Sequence, residues 1–332
     1  GKITTGVRNT LIGGLSGDAI TTGGDNVAVG ANALTANTTA NNNTAVGSAS
    51  LITNTTGANN TGLGNSALYA NTTGANNTAV GYQALDANTT AANNTAVGVS
   101  SLGANTTGAG NVAFGAEALA TNVLGSNSTA IGRESLKTQN PATATDAHNT
   151  AVGYRAGLLV STGVENTLIG SLAGDALTAT NENTAVGKSA LSADTLGSRS
   201  TAIGQGTLAT QNFTTATQTY NTAVGFQAGN AVTTGINHTL IGGLAGFALT
   251  DADYNVAVGY AALTTDTKGS RSVAIGNLAL ATQNFTTATD AYNVAVGYNA
   301  GIAVTTGTQN TLIGARAGDA LTDTDFNVAV GN

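Results

Sequence analysis

The sequence predicts an all-β fold, a parallel β-solenoid of 17-residue coils. Three observations predict it. A five-residue unit, Asn-Thr/Val-Ala-Val/Ile-Gly, recurs in register along the chain; its last residue is Gly in all 19 copies; and the rest of the composition cannot build a thick globular core. Copies begin at Asn9, Asn26 and so on to Asn310 and Asn327, with Ser at 128, 200 and 272 and His at 238. Of the 18 intervals, fifteen are 17 residues and three are 21, namely 128 to 149, 200 to 221 and 272 to 293. A repeat of this length cannot bury an apolar face alone, so successive copies must stack.

Within each copy the second and fourth positions alternate with the third and fifth, as a strand requires. The fourth is always apolar, as in Val46, Phe114 and Ile131, and the third is Ala except for Leu at 11, 168, 240 and 312 and Gly62. Gly at the fifth position, for instance Gly30, Gly81, Gly153 and Gly297, predicts a positive φ or a close backbone approach at a corner. The first-position Asn, for instance Asn26, Asn77, Asn149 and Asn293, predicts a ladder that bonds its neighbours and its own turn. A second segment, Ala84-Leu85 in one coil and Ala156-Gly157 in another, predicts a second short strand followed by Gly/Asn turns.

The long intervals return every 72 residues. This divides the chain into a shaft of uniform coils, residues 1–127, and a shaft of four-coil blocks, residues 128–332, expected to form one continuous rod. At ~4.8 Å per coil step the rod would be roughly 85 Å long.

Only 8% of residues are charged and 4% aromatic; there are 45 Gly, a single Pro (Pro141) and no Cys, Met or Trp. The apolar content is mostly Ala and Val, which suits a thin core. A net charge of −7 disfavours binding to nucleic-acid phosphates. No apolar run approaches the ~20 residues of a membrane-spanning helix. The chain starts without Met and stops inside a unit, and so reads as a processed or truncated piece of a longer one.

A coil offers its interior few apolar side chains, such as Val80 and Leu85. The face of third-position Ala and fifth-position Gly looks too flat and apolar to stay wet, and is expected to pack against another chain. The expected self-association is most economically a parallel homotrimer, with a monomer of very thin core and a dimer as alternatives.

Ser128-Thr129-Ala130-Ile131-Gly132 and Ser272-Val273-Ala274-Ile275-Gly276 resemble the head repeat of YadA-type trimeric autotransporter adhesins. Asn77-Thr78-Ala79-Val80-Gly81-Tyr82-Gln83-Ala84-Leu85 is similar to repeats of phage tail-fibre shafts, of the kind that carry an endosialidase-type chaperone. The resemblance implies a left-handed β-roll, trimeric and extracellular, on a cell surface or a virion, used for attachment to a glycan or protein receptor. The 17-residue period exceeds the coil typical of the adhesin head, and neither an anchor nor a chaperone is contained in the sequence. Expected from this is a fibre shaft mediating attachment; a self-assembling extracellular filament with a mechanical or matrix role is the alternative.

The long coils carry the candidate receptor-facing residues Gln211, Asn212 and Phe213, and Gln283, Asn284 and Phe285. A Phe among amides and hydroxyls suits a sugar face; the competing expectation is that Phe213 and Phe285 plug an enlarged coil. Tyr82, Tyr154, Phe226, Tyr260 and Tyr298 follow the invariant Gly and read as interchain or corner packing, or as an aromatic receptor column. A trimer could gather His238 on its axis, but no metal site is expected, since neither Cys nor suitably spaced carboxylates accompany it. Asp175, Asp251, Asp253, Asp319 and Asp323 read as turn formers, and the Asn37 and Asn54 sequons as ladder positions. An ice- or crystal-binding Thr array is disfavoured because the second-position Thr is interrupted at Val27, Val112, Val256, Val273, Val294 and Val328, and is expected to point inward. No catalytic constellation stands apart from the repeat, so no enzyme activity and no cofactor is expected.

Overall fold

The computed structural model describes residues 4–331. Among them every regular element is a β-strand, and the fold is a parallel β-solenoid of about 19 turns. The chain divides into two compact units, residues 1–165 and 166–332.

In the first unit each unit copy supplies one three-residue strand, from Thr10–Ile12 and Val27–Val29 to Thr129–Ile131 and Thr150–Val152. Each pairs in parallel with the next, residue for residue, as in Thr78↔Thr95, Ala79↔Ala96 and Val80↔Val97. The second unit does the same from Thr167–Ile169 to Val328–Val330. The long coils add a two-residue ribbon each: Gly125–Ser126 with Thr145–Asp146 in the first unit, and Gly197–Ser198 with Thr217–Gln218 and Gly269–Ser270 with Thr289–Asp290 in the second.

The strand faces are the reverse of the expectation. Third-position Ala28, Ala45, Ala79, Ala96, Ala130 and Ala185 are fully buried within their own chain, whereas fourth-position Val80 is only half-buried and Ile12, Phe114 and Ile131 are exposed. The Ala face lines the coil and cannot be the interface with another chain. The second-position Thr and Val likewise look outward, not inward. The reason is width: a coil this narrow admits only a methyl from the strand, and the opposite wall supplies the larger group, such as the fully buried Leu85.

Where the wall loses its Leu, volume is restored from elsewhere. Gly174 stands in for that Leu, and a Cβ there would lie 2.8 Å from Leu168 and 2.7 Å from Leu177. Leu at the third position is therefore tied to Gly in the facing wall, and the interior stays filled.

The facing wall is not a second strand. Leu85 and Gln83 have φ of 52° and 54°, and their counterparts repeat this along both units. Left-handed backbone at a Leu costs roughly 1–2 kcal/mol. It persists because each such residue still bonds the adjacent coil, as when Leu85 N–H donates to the Ser101 carbonyl at 3.0 Å. The invariant Gly meets both conditions the sequence suggested. Gly81 has φ of 138°, and a Cβ there would lie 2.5 Å from the Gly98 carbonyl oxygen.

Candidate binding surfaces

Three columns of side chains run through the coils, and each is set by position within the repeat. The first is the ladder of first-position Asn. Asn77 donates Nδ2 to the Ala91 carbonyl at 2.8 Å and to Asn60 Oδ1 at 3.2 Å, while its own Oδ1 accepts the Asn94 N–H at 3.0 Å. Asn26 accepts and donates in the same way, toward the Asn43 N–H and the Ala40 carbonyl. The second column lies eleven residues later. Asn88 donates to Asn71 Oδ1 at 2.8 Å and to Ala91 O at 3.1 Å, so two buried amides converge on one carbonyl. Asn37 and Asn54, the sequon residues, belong to it and are fully buried.

In the long coils Ser replaces the first-position Asn, and a Gln takes over its bonds. Gln211 donates Nε2 to Ser200 Oγ at 2.9 Å and to Asp194 Oδ2 at 2.6 Å, and accepts from Asn221 Nδ2 at 2.9 Å. Gln283 does the same with Ser272 Oγ, Asp266 and Asn293. Gln139 in the first unit bonds Ser128 Oγ and Asn149. Gln211 and Gln283 are therefore interior, not receptor-facing. Phe213 and Phe285 are also buried; the Phe285 ring lies against the Gly269 backbone, closing the enlarged coil as a plug. Of the six candidates only Asn212 and Asn284 are exposed, each accepting from a Thr hydroxyl, Thr195 and Thr267 respectively.

Three ionisable groups, Asp194, His238 and Asp266, are buried inside the second unit. Asp194 is fully buried and accepts from the Gly197 and Phe213 N–H groups at 3.0 and 3.2 Å as well as from Gln211. Its burial raises its pKa, against the pull of these hydrogen bonds. His238 occupies an Asn place in the ladder. Nδ1 accepts the Asn255 N–H at 3.2 Å, and Nε2 faces the Ala252 carbonyl without closing a bond of normal geometry. Burial pushes its pKa down to about 4. It lies within the coil and cannot be gathered on an axis between chains. Among the described residues no group of three or more His, Cys, Asp or Glu could hold a metal ion.

The third column is exposed: the residue just before each copy, held in left-handed backbone throughout. Asn42, Asn59 and Asn76 form an amide ladder there at 3.1 and 3.2 Å. In the second unit the column carries Glu182, Arg199 and Tyr220, then Tyr254, Arg271 and Tyr292. Arg199 bonds Glu182, Gln218 and the Tyr220 hydroxyl. Arg271 lies over Tyr254 at 4.8 Å and over Tyr292 at 5.9 Å, and bonds Asp290 at 3.0 Å. The sequence reading missed this column, whose residue type varies from coil to coil among Asn, charged and aromatic residues.

Of the aspartates read as turn formers, Asp253 accepts the Ile236 N–H of the adjacent coil at 2.9 Å and Asp251 the Thr250 hydroxyl at 3.0 Å. Asp251 also pairs with Lys268 at 3.4 Å.

On the outward strand face, the second and fourth positions carry no charged residue in any of the 19 copies. Tyr82, Tyr154, Phe226, Tyr260 and Tyr298, one residue beyond Gly, are all exposed beside this face, and the Tyr154 ring lies under Arg155 at 5.0 Å and Arg133 at 5.9 Å. No helix among the described residues is long and apolar enough to cross a membrane. No family model matches the chain, and no curated protein matches it.

Proposed function

We propose that the chain is the shaft of an extracellular or virion fibre, of the tail-fibre or trimeric-adhesin kind, which associates with further copies of itself and serves attachment to a cell surface. The observation that carries this reading is the outward strand face. At ~3.3 Å per residue and ~4.8 Å per coil, a strip three residues wide and nine coils long covers roughly 400 Å². Patches of about that size are often interaction surfaces. Charged residues are mostly found on the exposed surface, and this face has none in any copy. Its identical rows at a constant step suit a parallel copy in register, and three copies about one axis bury the strip of each.

Sedimentation velocity of the intact chain tests the reading, with Val80→Lys/Val97→Lys as the comparison. A trimer that the paired lysines convert to a folded monomer is expected. A wild-type chain that stays strictly monomeric overturns the trimeric fibre, and growth without limit on raising the concentration points to the open filament instead.

A further inference from the structure

The long coil of the second unit builds a ledge. Its extra residues carry Thr217 and Gln218 out to pair with Gly197 and Ser198, and leave a groove with a cavity volume of about 210 Å³. Asn181, Glu182, Ser198, Arg199, Thr217 and Gln218 line it, with the methyl groups of Ala179 and Ala216 between them. The polar groups are held in place by one another. Arg199 spends Nε and one terminal nitrogen on Glu182 at 3.0 and 3.3 Å, and the other on Gln218 at 3.1 Å and the Tyr220 hydroxyl at 2.7 Å.

The ribbon recurs one block later with part of its chemistry kept. Ser270, Arg271, Thr289 and Tyr292 stand at the places of Ser198, Arg199, Thr217 and Tyr220. The carboxylate that engages the Arg now comes from Asp290 instead of Glu182, while Tyr254 takes the Glu182 position. The corresponding ribbon of the first unit has Asn127 and His148 where these two have Arg and Tyr.

The groups select against most ligands. An anion finds the guanidinium of Arg199 already neutralised by Glu182, within a chain of net charge −7. An apolar ligand would strip water from four charged or amide side chains without return. A polyhydroxylated neutral ligand fits: the Glu182 carboxylate and the Gln218 carboxamide meet vicinal hydroxyls, and the Ser198 and Thr217 hydroxyls adapt. The cavity is the size of a single hexose ring. We propose that the Arg199 ledge is a subsite for a neutral saccharide, holding one sugar unit of a longer glycan. This rests on the groove and not on self-association, so a monomeric chain would leave it standing.

Saturation-transfer NMR on the full chain tests it, with maltotriose, lactose, chitotriose and mannotriose as neutral probes and a sialylated lactose and a heparin tetrasaccharide as charged ones. Transfer to at least one neutral probe is expected, weakened about tenfold or more in Arg199→Ala. Thr214→Ala, outside the groove, is expected to bind as wild type, and equal melting temperatures show that the variants fold. No transfer to any neutral probe overturns the proposal, as does binding unchanged in Arg199→Ala or binding confined to the charged sugars and abolished by salt.

Discussion

Coils 26–122 and the four-coil blocks of the second unit share one backbone but fill the same interior position differently. Eleven residues into each coil, the first region repeats a single residue: Asn37, Asn54, Asn71, Asn88, Asn105 and Asn122. The second cycles, through Leu177, Asp194, Gln211 and Val232, then Leu249, Asp266, Gln283 and Val304. In the first region every coil is interchangeable, because each amide meets a copy of itself. In the second, a polar pair alternates with an apolar pair, and a coil fits only beside its proper neighbours. Repetition of the backbone does not imply repetition of the interior.

The largest expected effect breaks the first pattern with a residue taken from the second. Asn88→Leu removes the acceptor for Asn105 Nδ2 and the donor to Asn71 Oδ1 in a fully buried stack. A loss of about 3 kcal/mol or more is expected from the orphaned amides, read from the urea midpoint. Leu at the equivalent place in the second unit, Leu177, is native, so the cost belongs to the neighbours and not to the fold.

His238 sharpens the contrast through pH. With a folded pKa of about 4 against 6.5 for the unfolded chain, the unfolded state takes up the proton first. Stability is whole above pH 6.5 and is lost as pH falls from there to about 4. His238→Asn restores the ladder residue and is expected to remove an acid loss of about 3 kcal/mol, checked by melting at pH 7 and pH 4.5.

Asp194 acts in the opposite direction. Burial raises its folded pKa, so the folded state takes up the proton first and acidification through that raised pKa stabilises. Asp194→Asn copies the first region's residue, and melting curves across acidic pH are expected to show the wild type gaining on the variant as pH falls. An unchanged difference would mean that Asp194 has the same pKa in the folded and unfolded chain. The smallest effect is at the surface: Arg199→Ala is expected to leave the urea midpoint nearly unchanged, since its pair with Glu182 is well exposed.

The period and the Gly column made the solenoid legible in the sequence, because a residue without Cβ at every copy has a steric cause. The facing of the strand was not legible from alternation alone, since Thr-Ala-Val-Gly presents a small apolar residue on either side. The deciding signal lay between distant positions. Leu11, Leu168, Leu240 and Leu312 occur with Gly17, Gly174, Gly246 and Gly318, a volume exchange that requires the third position to face inward. The long coils misled for a related reason. Gln211 and Phe213 resemble a display loop until Ser200 is recognised as a missing amide that something must replace. The true surface column was hidden because no periodicity marks a position whose residue type changes from coil to coil.

The bonds between coils run one repeat length along the chain, from the same atoms to the same atoms. The first region can therefore be lengthened or shortened by any whole number of 17-residue coils without creating a new kind of contact. Removing the single coil that starts at Ser200 would set Asp194 beside Val232 and strip it of Gln211. Recombination between misaligned gene copies is thus tolerated in single coils in one half and only in steps of 72 residues in the other, and the chain carries a fine and a coarse ruler for its own length.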